Sequence, residues 1–120
     1  MTNQSPETAT GTDADDVFLA AVEAEFFDGL PGLDTVSYIN ATAGVIASLT
    51  TPATNTGFAL GDTYTSIENL TGSSFNDTLT GDVGANILTG GAGTDTLSGL
   101  GGNDTYIVNL TAAGTLEDTV

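Results

Sequence analysis

GSSFNDTLT (72–80), GDVGANILT (81–89), GGAGTDTLS (90–98) and GLGGNDTYI (99–107) follow one another without a gap. Each nine opens on glycine: Gly72, Gly81, Gly90 and Gly99. The sixth place holds Asp77, Asn86, Asp95 and Asp104, and the eighth holds Leu79, Leu88, Leu97 and Tyr106. Three columns sharing one period mark a stacked repeat, whose rules differ from those of a globular core. The glycine-rich part of each nine predicts a tight turn, because glycine accepts positive φ and lets a backbone or an ion come close. The closing triplet alternates polar, apolar, polar, as a very short strand with one inward residue does. A single nine buries too little apolar area to offset the ordering of its backbone. The blocks therefore predict stacking, with the eighth-place residues as a continuous interior.

If two turns make one winding, Asp77 lies near Asp95 and Asn86 near Asp104. Two carboxylates about 5 Å apart repel by roughly 3 kcal/mol at an effective dielectric of about 20. The chain has no Lys, Arg or His to relieve this, and its formal net charge is −16. The pattern predicts a cation supplied from outside. Carboxylates and backbone carbonyls are hard oxygen donors, which suit Ca²⁺ and its flexible shell better than small, octahedral Mg²⁺. Zinc and copper are disfavoured, because the chain has no Cys or His.

Block 90–98 resembles the nonapeptide GGxGxDxUx of the RTX, or haemolysin-type, calcium-binding repeats, through Gly90, Gly91, Gly93, Asp95 and Leu97. The neighbouring nines are looser versions. The resemblance implies an all-β fold, a parallel β-roll of the RTX β-solenoid type. Ca²⁺ is then held between alternate repeats by Asp side chains and loop carbonyls. It also implies an extracellular bacterial protein, secreted by a type I machine and folded by external calcium. The expected metal residues are Asp77 with Asp95 and Asn86 with Asp104, joined by Asp82. Gly72, Gly81, Gly84, Gly90, Gly91, Gly93, Gly99, Gly101 and Gly102 are expected to shape the turns. Three departures weaken particular sites: Phe75 at a fourth place, Asn86 at a sixth and Leu100 at a second.

A weaker set of nines precedes these: GTDADDVFL (11–19), AAVEAEFFD (20–28) and GLPGLDTVS (29–37). Asp16 and Asp34 stand two blocks apart and are expected as a further calcium pair, with Phe18, Phe27 and Val36 in the apolar column. The middle block lacks glycine, so Ala20 to Phe27 also reads as a helical turn. Residues 38–62 form an irregular β insertion between the two sets, uncharged through Gly61, with Val45, Ala47 and Leu49 alternating with Ile46 and Ser48. Residues 63–107 are the main repeats. Their first nine, Thr63 to Thr71, has no glycine and is expected as a strand covering the open end of the roll. Glu68 there reads as a capping surface residue, with reach to a calcium near Asn86 as the alternative. Residues 1–10 are expected as a flexible lead-in, 11–120 as one β domain, and 108–120 as a C-terminal cap or truncated repeat.

The acidity argues against nucleic acid, whose phosphates need Lys and Arg, and against anionic membrane surfaces. The chain has no cysteine for disulfide or thiol chemistry. It has no apolar run of about 20 residues for membrane insertion. Met1 to Asp16 is polar and acidic, unlike a cleavable secretory signal. An enzyme is not expected: the usual acid–base and nucleophilic side chains His, Cys and Lys are missing, and the carboxylates recur with the period of structural ligands. The alternative function is a self-associating structural or adhesive protein, a fibre or surface layer, joined through open solenoid ends.

Overall fold

The computed structural model describes residues 7–108. Its strands are short: β1 (Glu7–Thr10), β2 (Val17–Leu19), β3 (Glu25–Asp28), β4 (Thr35–Ser37), β5 (Ile46–Ser48) and β6 (Thr63–Thr65). They continue with β7 (Asn69–Thr71), β8 (Thr78–Thr80), β9 (Ile87–Thr89), β10 (Thr96–Ser98) and β11 (Thr105–Ile107). The protein is all-β, and every named strand pairs in parallel. The chain shuttles between two sides. One side is a five-stranded sheet in the order β11-β9-β7-β4-β2; the other is built from β1-β3-β6 and β10-β8-β5.

The register explains why nine residues suffice for each pass. Leu88 faces Leu70 and Tyr106 on one sheet, while Leu79 faces Leu97 on the other, so blocks two apart lie side by side. Phe18 aligns with Val36 in the same way. In the triplets of β4, β7, β8, β9 and β10 the middle side chain turns inward. Val36, Leu70, Leu79 and Leu88 are 0% exposed and meet between the sheets in one cluster with Phe27, Ala47 and Leu97. Burying each leucine contributes about 1.5–3 kcal/mol.

Three expectations change. Residues 1–10 are not all lead-in, because Glu7–Thr10 pairs with β3. The end of block 20–28 is a strand rather than a helical turn, since Phe27 is needed against Phe18 and Tyr64, with ring centroids at 5.7 and 6.1 Å. Thr63 to Thr71 does not cover an open end: it supplies β6 and β7, and β7 is the middle strand of five. Leu70 continues the inward column there, which matters more than the missing glycine. The expected cap over 108–120 lies, apart from Val108, outside the described residues.

The insertion breaks the period without breaking the stack. Its single strand, β5, pairs with β8, and 3-10 turns at Pro52–Thr54 and Gly57–Ala59 return the chain to β6. It buries polar groups as well as apolar ones. The Tyr38 hydroxyl donates to Asp62 Oδ2 at 2.7 Å, and Glu25 N–H donates to Asp62 Oδ1 at 2.8 Å. Asn55 Nδ2 donates to the Tyr64 hydroxyl at 2.9 Å, and the two tyrosine oxygens lie 2.7 Å apart. Because the Tyr38 proton goes to Asp62, Tyr64 donates to Tyr38, and the donors run in order towards the carboxylate. Burial pushes the Asp62 carboxyl up to about 6, against the lowering effect of the Tyr38 and Glu25 hydrogen bonds; the nearby Glu25 charge adds to the rise. Burial likewise raises both tyrosines, which stay neutral.

A carboxyl raised in the folded state adds stability below its unfolded pKa of about 4 and loses it as pH climbs through the folded value. Asp62→Asn keeps an acceptor for the Glu25 N–H but cannot ionise. In calcium-saturated protein its stability relative to wild type rises between about pH 4 and about pH 7 and is flat above. Urea denaturation across that range checks this; a constant difference shows that Asp62 titrates normally.

Candidate metal centre

The turns stack along the two long edges of the sheets. On one edge the sixth-place residues of the blocks opening at 11, 29, 81 and 99 come together. Asp16 N–H donates to Asp34 Oδ1 at 2.8 Å, and Asn86 N–H donates to Asp104 Oδ1 at 2.9 Å. On the other edge Asp77 N–H donates to Asp95 Oδ1 at 2.8 Å, and Val45 N–H donates to Asp77 Oδ1 at 2.8 Å. Asp34, Asp77, Asp95 and Asp104 therefore each hold the amide of the matching residue one winding away. Asp34, Asp77, Asn86 and Asp95 are at most 3% exposed. Part of the repulsion expected between stacked carboxylates is thus met by peptide N–H groups, donors that a count of charged side chains leaves out. Hydrogen bonds to the ionised form lower its energy, but they carry no net charge.

The second oxygen of each carboxylate lies over the glycine that opens its own block. A Cβ on Gly72 would come 2.5 Å from Asp77 Oδ2 and 2.7 Å from the Gly90 carbonyl; one on Gly90 would come 2.5 Å from Asp95 Oδ2. Gly81 and Gly99 are crowded in the same way by Asn86 and Asp104. Gly72 leaves room for a carboxylate and for a carbonyl from the next winding, and Gly81, Gly90 and Gly99 leave room for the sixth-place side chain of their own block. Gly84 and Gly101 differ, because a Cβ there meets nothing closer than 3.4 and 3.7 Å. The structure does not require glycine at those two places.

Two kinds of turn share the work. In the first, the second residue closes the turn with its side chain: Thr12 Oγ1 accepts Ala14 N–H, Ser73 Oγ accepts Phe75 N–H, and Asp82 Oδ1 accepts Gly84 N–H. In the second, the second and fourth residues are left-handed: Leu30 and Gly32, Gly91 and Gly93, Leu100 and Gly102. In the pairs Asp16–Asp34, Asp77–Asp95 and Asn86–Asp104 the donor sits in the first kind and the acceptor in the second. Thr, Ser and Asp at second places carry this signal in the sequence, since their side chains favour such closures. Asp82 thus serves its own turn, and its N–H also donates to Asn86 Oδ1 at 2.9 Å. Phe75 needs no glycine, whereas Leu100 occupies a conformation that disfavours it.

Glu68 is part of the ladder rather than a surface cap: its Oε2 accepts Asp34 N–H at 2.9 Å, and its carbonyl accepts Asn86 Nδ2 at 2.7 Å. Glu68 keeps the phase of the main repeats, nine residues before Asp77, but its partner Asp34 stands 34 residues back across the insertion. Residues 71–106 match the RTX calcium-binding nonapeptide repeat, in four copies. This segment is similar to the RTX repeat family. No curated protein matches the chain.

The RTX turns fit a hard cation. They present only oxygen donors, and over Gly72 a carboxylate oxygen and a carbonyl oxygen converge on space that a Cβ would fill. Among the described residues no three Asp, Glu, His or Cys side chains gather at one point. A cation here therefore takes main-chain carbonyls beside one or two carboxylates, a mixture that Ca²⁺ accepts.

Gly72→Ala pushes a methyl into Asp77 and lowers stability by about 1–3 kcal/mol. Gly84→Ala is neutral, or stabilising by about 0.4–1 kcal/mol through the unfolded chain. Paired urea titrations in calcium check both; equal losses would mean that the turn has no steric preference for its opening glycine.

Proposed function

We propose that the chain is an extracellular calcium-binding RTX module whose parallel sheets form a β-roll that folds as Ca²⁺ binds. Its role is the secretion by a type I route, the folding and the stability of a secreted bacterial protein. The reading is of a binding module, not an enzyme. The observation that carries it is the alignment of RTX turns 18 residues apart, Asp77 on Asp95 and Asn86 on Asp104, each beside an opening glycine. Asp77, Asn86, Asp95 and Asp104 hold and orient the ladder. Gly72 admits a ligand oxygen from the neighbouring winding, and Gly81, Gly90 and Gly99 make room for the sixth-place side chain of their own block. Bound Ca²⁺ supplies the positive charge that the chain itself lacks.

The binding energy is folding energy, since the residues of one site stand a full winding apart and are separated when unfolded. A site filled at 100 times its dissociation constant adds about 2.7 kcal/mol, and several sites add. No helix among the described residues is long and apolar enough to cross a membrane. The second reading, self-association into a fibre or layer, draws on β2. This strand ends its sheet and exposes Val17 and Leu19, at 67% and 61%. Sedimentation in calcium distinguishes a discrete particle from an extended assembly.

Circular dichroism and hydrodynamic radius, in calcium and in EGTA, test the main reading. The expected outcome is a compact β-rich chain with calcium and an expanded one without it. Asp77→Asn and Asp95→Asn shift the transition to higher calcium. An identical spectrum and radius in EGTA would overturn it.

A further inference from the structure

The two sides of the stack differ in continuity. On one side β4 pairs directly with β7, so the windings before and after the insertion share a sheet. On the other side β6 ends one sheet and β5 ends another, and no strand pairing among the described residues joins them. Instead β5 meets Thr56, whose N–H donates to the Ile46 carbonyl at 3.0 Å in an antiparallel bridge. Main-chain pairing thus binds the stack along one side and is split along the other. Local opening favours such places, where few backbone hydrogen bonds must break.

Side chains bridge the split. Asp62 Oδ1 accepts the Glu25 N–H of β3, and Asn55 Oδ1 accepts the Ser48 N–H of β5 at 2.8 Å. Tyr38 and Tyr64 connect Asp62 to Asn55 through their hydroxyls. The line ties β3 to β5 where no strand does. Its weak point is charge. Asp62 is 1% exposed, and the titratable groups facing it are Tyr38, Tyr64 on β6 and Glu25 on β3. Glu7 on β1 and Glu23 bear on Glu25 in turn. None of these is a cation, and the chain has no Lys, Arg or His. The ionised carboxyl is buried beside like charge, and its two hydrogen bonds offset only part of that cost.

We propose that this line is a proton-operated joint, with Asp62 holding the split side closed while protonated and releasing it on ionising. Opening the split lets the Asp62 carboxylate hydrate and moves it away from Glu25. The closed joint binds the proton more tightly than the open one, because burial lifts the Asp62 carboxyl to about 6. Opening is therefore rarest below about pH 4, grows as pH climbs through about 6, and is level above. The shift from 3.8 to about 6 lets the open population rise up to about a hundredfold across that window. The unbroken side keeps its pairing, so the windings stay in register while the joint loosens. Acid surroundings stiffen the joint, and neutral ones free it. None of the four residues of the line is assigned to calcium, so the joint works whether or not the repeats bind it.

Hydrogen exchange on the full chain in saturating calcium, between about pH 4 and about pH 8 and corrected for intrinsic rates, reads the joint directly. The Glu25, Ser48 and Thr56 amides are expected to open together more often as pH rises, up to about a hundredfold, and to level off above about pH 7. The Ala20 and Thr105 amides, bonded to the Ser37 and Asn86 carbonyls away from the split, stay unchanged. Asp62→Asn removes the pH dependence at all three joint amides. Glu25→Gln removes the neighbouring charge, keeps an acceptor for Ala21 N–H and ends the rise at a lower pH. A response confined to Glu25, or none at all, overturns the joint. So does an equal response at Ala20 and Thr105, which is global unfolding. Should Asp62→Asn not fold, Glu25→Gln decides alone: a rise ending at lower pH supports the joint, and an unmoved one overturns it.

Discussion

A main-chain amide held by a carboxylate one winding away is the interaction on which the rest of this structure depends. Turns of a few residues cannot satisfy their own N–H groups, and no strand partner reaches them, so an acceptor must come from a side chain. Asp34, Asp77, Asp95 and Asp104 provide it by taking the amides of Asp16, Val45, Asp77 and Asn86. The same contact fixes the height of one winding over the next, and hence the register that lines up Leu79 with Leu97 and Leu88 with Tyr106. Acidic residues that look like a liability in composition are structural acceptors here. Their charge is shared with dipoles but not cancelled, and this keeps the fold open to an external cation.

The alternation of two turn kinds follows from that ladder. A turn closed by Thr12, Ser73 or Asp82 uses its own side chain to hold its fourth amide. Left-handed turns, by contrast, depend on glycine at second and fourth places, and Leu30 and Leu100 accept strain there. That strain has a consequence at Leu30, whose N–H turns to Asp28 and abandons Asp34.

The insertion shows how tolerant the stack is. The period is lost between Ser37 and Thr63, but β4 and β7 still pair with Val36 opposite Leu70. The extra residues supply β5 and a buried line of donors from Asn55 through Tyr64 and Tyr38 to Asp62. Ser66 and Glu68 then stand in for the glycine and aspartate of a regular block.

Reading the sequence alone determined the stacking, the inward apolar column, the pairing of blocks two apart and the need for the opening glycines. These are local and periodic: an alternating triplet has one inward side, and a period of nine repeated without a gap admits one way of stacking. Only the tertiary structure decided which atoms the carboxylates hold, that β7 is central rather than terminal, that a side chain has room at Gly84 and Gly101, and that Tyr38 meets Asp62. Those depend on contacts at separations the period does not set, such as the 34 residues between Asp34 and Glu68. Across an insertion, proximity is settled by how the chain packs, and no spacing along it records the answer.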